Sequence, residues 1–234
     1  MKDLSSLLTD LYKIGFWPED PRSEAGRKRY EKAASFFRKV IQHEWFKDII
    51  EQKKVNILEI CAGTGIGGVA LSRVFIDEGL DVKLVVSDLR ESALKLAEEW
   101  GKEEIGPVIR AVKMDAREVH KIQFKADIVL LYGYSAPHFS PWDMIKVQVS
   151  VCEILKDHGI FLLQEHDRVF SIFYRVGYKR VLPESISDEH VVLSFHAGYD
   201  FTRGTFKRAT VDLINLSKPI ILDTYFWSLA ELMA

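Results

Sequence analysis

Val55-Asn56-Ile57-Leu58-Glu59-Ile60-Cys61-Ala62-Gly63-Thr64-Gly65-Ile66-Gly67-Gly68 is the stretch that decides the fold. Val55 to Ile60 is apolar at nearly every position, the pattern of a strand buried on both faces. The glycines that follow let the backbone turn sharply and come close to a ligand without an intervening side chain. The helix that opens there offers unpaired amides. A cofactor belongs at this turn.

Downstream the same unit repeats. Gly67 to Glu78 reads as a helix, Val82 to Ser87 as a strand, Arg90 to Gly101 as a helix and Pro107 to Lys113 as a strand. Asp127 to Tyr132 is a fourth strand, Trp142 to Lys156 a helix and Gly159 to Leu163 a fifth strand. Strands that alternate with helices and carry few polar residues form a parallel sheet covered on both faces, so the expected class is doubly wound, mostly parallel α/β. In such sheets the ligand lies beyond the carboxyl ends of the strands.

Upstream, Trp17-Pro18-Glu19-Asp20-Pro21 is a breaker-rich turn, and a helical pattern follows through Tyr30, Ala33, Ala34, Phe37, Val40, Ile41, Trp45 and Ile49. It fits either a helix covering the core or a lid over a ligand. After the fifth strand, a helical stretch from Asp167 to Gly177 leads to His190-Val191-Val192-Leu193-Ser194-Phe195-His196 and then to Thr205 to Leu216, an antiparallel hairpin pattern. Residues 190–216 either supply the last two strands of the main sheet or form an inserted hairpin, and insertion is favoured. Leu222 to Ala234 reads as a helix cut off in mid-pattern; if 190–216 is an inserted hairpin, either a partner covers the open edge of strand five or the chain is a shortened product. The expected organisation is an N-terminal helical cap region over 1–52 and a cofactor-binding α/β domain over 53–234.

The glycine pattern alone does not choose a cofactor, because Gly63-x-Gly65-x-x-Gly68 with Asp88 further on also satisfies a dinucleotide fingerprint. Three features separate the alternatives. Glu59 at the strand end suits a ligand bearing an ammonium and would repel a pyrophosphate. Met114-Asp115-Ala116 ends strand three with an acid and a small residue that suit an adenine. Strand four runs into the aromatic loop Tyr132-Gly133-Tyr134. Asp88 as a helix cap and Asp115 as a turn former are the structural alternatives.

Taken together, from Val55 to Glu165, these residues resemble the class I S-adenosylmethionine-dependent methyltransferases. The resemblance implies S-adenosylmethionine as cofactor, held by the loop Glu59, Cys61, Ala62, Gly63, Thr64 and Gly65. It further implies Asp88 on the ribose hydroxyls with Leu89 beside the adenine, Met114, Asp115 and Ala116 at the adenine, and Tyr132 and Gly133 after strand four. Cys61 stands where the family has its first glycine, and a negative φ is expected there.

The transfer this implies is an in-line displacement in which the protein chiefly positions the reactants, with a base needed only for a protonated acceptor atom. Tyr134 and His138 are the catalytic candidates. Packing for Tyr134 and a plain surface position for His138 are the alternatives. Gln164-Glu165-His166-Asp167-Arg168 suits either a cationic acceptor or a helix cap.

The formal net charge is −2 over 234 residues, which supplies no global field for nucleic acid or anionic membrane. The basic cluster Arg22, Arg27, Lys28, Arg29 reads most simply as a solvated helix start. No Asn-Pro-Pro-Tyr-type segment for stacking a base follows strand four. The expected acceptor is therefore a small molecule, with a protein or RNA acceptor, or a non-catalytic cofactor-binding subunit, as alternatives. The two cysteines have no metal-ligand spacing, and no apolar run approaches the ~20 residues that cross a membrane. A cytoplasmic enzyme is expected, and a homodimer is compatible with the sequence.

Overall fold

The computed structural model describes residues 3–15 and 17–234. The chain divides into two compact units, one built from 19–133 and 146–164, the other from 1–18, 134–145 and 165–234. This division runs elsewhere than the 1–52 and 53–234 partition drawn from the sequence.

The chain order begins with α1 (Leu4–Lys13), α2 (Glu24–Val40) and α3 (Lys47–Glu51). Then come β1 (Lys54–Ile60), α4 (Ile66–Asp77), β2 (Asp81–Asp88), α5 (Glu91–Ile105) and β3 (Ile109–Lys113). β4 (Ala126–Leu131), α6 (Pro141–Ile154) and β5 (Leu155–Leu163) complete the larger unit's sheet, whose order is β3-β2-β1-β4-β5 with every pair parallel. Strand order reverses beside β1, so the carboxyl end of β1 is the switch point at which such folds bind ligands. The doubly wound class expected from the alternation is the one found.

α2 shows why its sequence makes a helix and which face it buries. Ser23 caps it by accepting from the Gly26 amide at 3.0 Å, Arg38 and Lys39 sit favourably in the last turn, and Tyr30, Ala33, Ala34 and Phe37 form one buried stripe. That stripe belongs to the core cluster with Val69, Phe75 and Trp100, so α2 is a covering helix and the lid reading falls away. The helical pattern does not run through to Ile49. It breaks at residues 41–43, and Trp45 lies exposed in a short 3-10 turn, Glu44–Phe46.

Two boundaries of the sheet differ from expectation. α5 runs on to Ile105, where Gly106 at φ +82° ends it. β5 starts at Leu155, because Leu155 already pairs with Ala126 across a register shift.

In the other unit α7 (Arg168–Phe170) continues as a π-turn over Ser171–Val176, and β6 (Val181–Ile186), β7 (Val191–Asp200), β8 (Thr205–Asp212) and β9 (Ile220–Thr224) make an antiparallel sheet in that order. The 190–216 region therefore does not extend the main sheet; its strands are the two central members of a separate one. Pro183 is tolerated because β6 is an edge strand with a register shift just after it. The helix expected over 222–234 is also corrected: β9 takes its first residues, and α8 (Leu229–Met233) is short, closed by a capping box between Ser228 and Glu231. The apolar spacing of Leu222, Phe226 and Leu229 fits a helix, but Ile220-Ile221-Leu222 is a short apolar run, and pairing with β8 decides it. Trp227 anchors this end, its indole N–H donating to the carbonyls of Ala136 at 3.0 Å and Phe139 at 3.2 Å.

Candidate functional site

The loop after β1 is tied down from four sides. The Ala62 amide donates to the Ser87 carbonyl at 2.9 Å, which continues the β1–β2 register past the strand end. The Gly63 amide donates to Asp88 Oδ2 at 2.7 Å. Thr64 is buried; its hydroxyl donates to the Glu19 carbonyl at 2.6 Å and its carbonyl accepts from the Trp100 indole at 2.6 Å. Gly65, at φ +74°, caps α4 without a side chain.

Glu59 closes the strand beneath the loop. Its carboxyl is 1% exposed and takes the Gly68 amide on Oε2 at 2.8 Å. A Cβ on Gly67 would stand 2.4 Å from Glu59 Oε1 and one on Gly68 would stand 2.8 Å from Oε2. Those two glycines therefore let the helix start sit directly on the carboxyl. Burial pushes the Glu59 pKa up to about 8, the Gly68 amide opposes this, Asp88 adds to it, and Arg29 and the Gly67 amide oppose it.

Cys61 adopts φ +52°, so the negative φ expected there is corrected. The loop needs a left-handed residue directly after β1, and the Cys side chain accepts the strain of the position where the family has glycine. Its thiol is held neutral, first by desolvation and then by Asp88, Asp115 and Glu59, with Arg90 opposing. The three acids picked out from the sequence therefore act on one point.

Asp88 ends β2, nearly buried, with Oδ1 accepting the Arg90 amide at 2.8 Å while Oδ2 holds the loop. It does not cap α5, whose N-cap position falls on Arg90. Leu89 beside it is half-buried. Arg90 is buried between Asp88 at 3.4 Å and Glu19 at 2.7 Å. After β3, the half-buried Met114 donates its amide to the Asp88 carbonyl at 3.1 Å. Asp115 accepts from the Arg117 amide at 2.9 Å and pairs with its guanidinium at 2.6 Å, which opens a 3-10 turn at the buried Ala116. The turn-forming alternative is thus realised in Asp115.

After β4, the Tyr132 ring packs on Phe37 at 5.6 Å. Gly133, at φ +91°, donates its amide to Gln164 Oε1 at 2.9 Å. Tyr134 and His138 belong to the other unit. Tyr134 takes φ +61°, a rare conformation for a bulky residue, and its ring meets His166 edge-on at 5.5 Å. His138 is exposed on the short turn Ala136–His138. Glu19, Arg90, Trp100 and Gln164 support the site without having been singled out as cofactor residues. Gln164 lay within the segment flagged at the end of strand five, but for the other three only contacts between residues far apart in the chain reveal the role.

The residues present suit S-adenosylmethionine. They bring acids to the carboxyl edge of a parallel sheet, as acceptors for hydroxyls and amines, and the carboxylates of Asp88 and Asp115 there disfavour a pyrophosphate. Such a glycine turn and acid set on this sheet is that of a class I methyltransferase. The profile of the ubiE/COQ5 methyltransferase family matches residues 28–186, and the chain belongs to that family. It is an S-adenosylmethionine-dependent methyltransferase.

Among solved structures, the CcbJ methyltransferase from Streptomyces caelestis is similar in fold. It shows 16% identity over 99% of this chain and 85% of that one, at a TM-score of 0.67. More partial likenesses include a putative sarcosine dimethylglycine methyltransferase from Galdieria sulphuraria, at 18% identity, 60% of this chain, 46% of that one and a TM-score of 0.44. PKMT2 from Rickettsia typhi, solved with AdoHcy, gives 14%, 47%, 20% and 0.41. Among curated proteins no match to this sequence was found. No helix among the described residues is long and apolar enough to cross a membrane.

Proposed function

We propose that the enzyme methylates a small-molecule acceptor in the cytoplasm. The cofactor would be held by Glu59, Cys61, Ala62, Gly63, Thr64 and Gly65, by Asp88 and Leu89, by Met114, Asp115 and Ala116, and by Tyr132 and Gly133. The observation that carries the cofactor assignment is the Gly63 amide on Asp88 Oδ2. It locks the glycine turn to the acid that ends β2 and leaves that carboxylate lone pairs for two adjacent hydroxyls. When bound, S-adenosylmethionine supplies an already activated methyl group. The chain's own work is then to bind, orient and exclude water.

The small-molecule reading is supported by the fate of the basic cluster. Arg22 pairs with Glu103 at 2.6 Å, Arg27 with Glu104 at 3.0 Å and Lys28 with Glu24 at 2.5 Å, so these cations are matched by acids instead of lining a groove for phosphates. The cytoplasm is supported by two free thiols, Cys61 and Cys152. Tyr134 and His138 act on the acceptor side in this reading, supported by backbone strain at Tyr134 just beyond the carboxyl end of β4.

Calorimetry with S-adenosylmethionine, S-adenosylhomocysteine and NAD tests the assignment. The first two should bind and NAD should not. Asp88→Ala should weaken binding by roughly 1.5–3 kcal/mol, whereas Tyr134→Phe and His138→Ala should leave it unchanged. Asp88→Asn keeps an acceptor for Gly63 and separates lost hydroxyl contacts from a loosened loop. Unchanged affinity in both Asp88 variants would overturn the site.

A further inference from the structure

The cations around the start of α2 do not share one environment. Arg22, Arg27 and Lys28 are exposed and answered by Glu103, Glu104 and Glu24. Arg29 is half-buried, and it stands one and two turns ahead of the buried Ala33 and Phe37 on the same helix face. Phe37 packs on the Tyr132 ring at 5.6 Å, so that face runs over the loop that follows β4. Arg29 meets the next residue of the same loop. A Cβ added to Gly133 would find Arg29 Nη2 at 3.9 Å and, its chain neighbours apart, no other atom of the described residues within 4 Å. Gly133 itself is held at φ +91° with its amide on Gln164 Oε1 at 2.9 Å. Open space therefore lies beside a fixed glycine, with a guanidinium at its rim. The charge of Arg29 also reaches Glu59 at the end of β1, where it works against the effect of burial. Arg29, Glu59, Gly133 and Gln164 all belong to the larger unit.

The strand order says which part of the cofactor this corner suits. With ribose at Asp88 after β2 and adenine at Asp115 after β3, the order β3-β2-β1-β4-β5 leaves the amino-acid end of the cofactor to the ends of β1 and β4. That end carries an ammonium and a carboxylate. The acids along the edge offer nothing that attracts the carboxylate. Two further guanidiniums there are engaged on the β2 and β3 side, Arg90 against Glu19 at 2.7 Å and Asp88 at 3.4 Å, and Arg117 against Asp115 at 2.6 Å. Arg29 stands on the β1 and β4 side.

We propose that Arg29 recognises the cofactor's carboxylate, which its guanidinium takes beside Gly133. The proposal rests on the cofactor-site reading above. A guanidinium presents parallel N–H donors that match both oxygens of a carboxylate, so it fixes the direction of the amino-acid tail as well as its charge. α2 then contributes to the cofactor site from its place in the core, without acting as a lid. The arrangement also selects: a nucleoside with the same sulfonium and ammonium but no carboxylate leaves the guanidinium unanswered.

Calorimetry on the full chain tests this with S-adenosylmethionine and its decarboxylated form, which keeps adenosine, sulfonium and ammonium and lacks only the carboxylate. The wild type should bind S-adenosylmethionine about 10- to 100-fold more tightly. Arg29→Met keeps much of the apolar stem and should bring the two affinities together by weakening S-adenosylmethionine alone. Arg29→Lys keeps the charge without the fork and should retain part of the preference. Equal binding of the two ligands by the wild type, a comparison that needs no variant to fold, overturns the proposal. So does an Arg29→Met variant that keeps the full preference, whether both affinities hold, as when amides of the glycine turn take the carboxylate, or both fall together, as a purely structural role would give. Failure of the wild type to bind either ligand would instead overturn the cofactor site, and the proposal with it.

Discussion

Replacing Glu59 with glutamine should change how the stability of this protein depends on pH. In the folded chain the carboxyl is 1% exposed and its pKa stands at about 8, against an ordinary value of 4.5. Below 4.5 both folded and unfolded chains carry the proton, and the buried group costs no ionisation. As pH rises from 4.5 towards 8, the unfolded chain releases the proton while the folded chain retains it, so stability falls, and the full loss is reached above 8. At ~1.4 kcal/mol for each unit of displacement, the loss amounts to at most about 5 kcal/mol. Glutamine keeps an oxygen for the Gly68 amide, bonded at 2.8 Å in the wild type, and cannot ionise. Urea denaturation of both proteins at pH 5, 7 and 9, followed by circular dichroism, should show the variant gaining on the wild type as pH rises. Every other titrating group is common to the two and cancels. A stability difference that stays flat from pH 5 to pH 9 would refute the argument that this carboxyl is held protonated by burial.

Gly67→Ala should cost about 1–3 kcal/mol, because its Cβ would arrive 2.4 Å from Glu59 Oε1 and 2.7 Å from Tyr132 Cβ. Thermal melting measures the cost, and a melting temperature equal to wild type would show that the helix start has more room than described. Trp227→Phe should leave the Ala136 and Phe139 carbonyls without their indole donor, a loss of roughly 1–3 kcal/mol. Hydrogen exchange should then rise around 136–139 and 225–228 and stay unchanged in β1 and β2; protection lost evenly along the chain would contradict a local anchor.

The larger unit was legible because its signals are local. Glycine at 63 and 65, acids at 59, 88 and 115 and unbroken apolar strands each speak within a few residues, and the sheet places those acids around the turn after β1. What each acid does was less legible. Glu59 holds α4 from beneath, and Asp88 fastens the loop with one oxygen, because pairing partners are decided by packing. Cys61 misled for a related reason: a side chain usually signals negative φ, yet the turn imposes +52°. The 164–168 segment left cap and ligand readings open, and the structure shows Asp167 as the cap and Glu165 with an unsatisfied oxygen, which only a census of buried atoms reveals. The region beyond Asp167 was hardest, since β9 finds its place by pairing with β8 and not by any pattern of its own.

The unit that holds β6 to β9 draws α1 from one end of the sequence and β9 from the other, and the two pack together. Everything needed for the parallel sheet is on hand once residue 164 has left the ribosome, so that sheet can form while the rest is still being translated. α1 must wait for more than 200 further residues before its partner strand exists, and closing so long a loop is slow. During that interval the helix, which carries Leu4, Leu7, Leu8 and Leu11, is a candidate client for chaperones that hold nascent apolar segments.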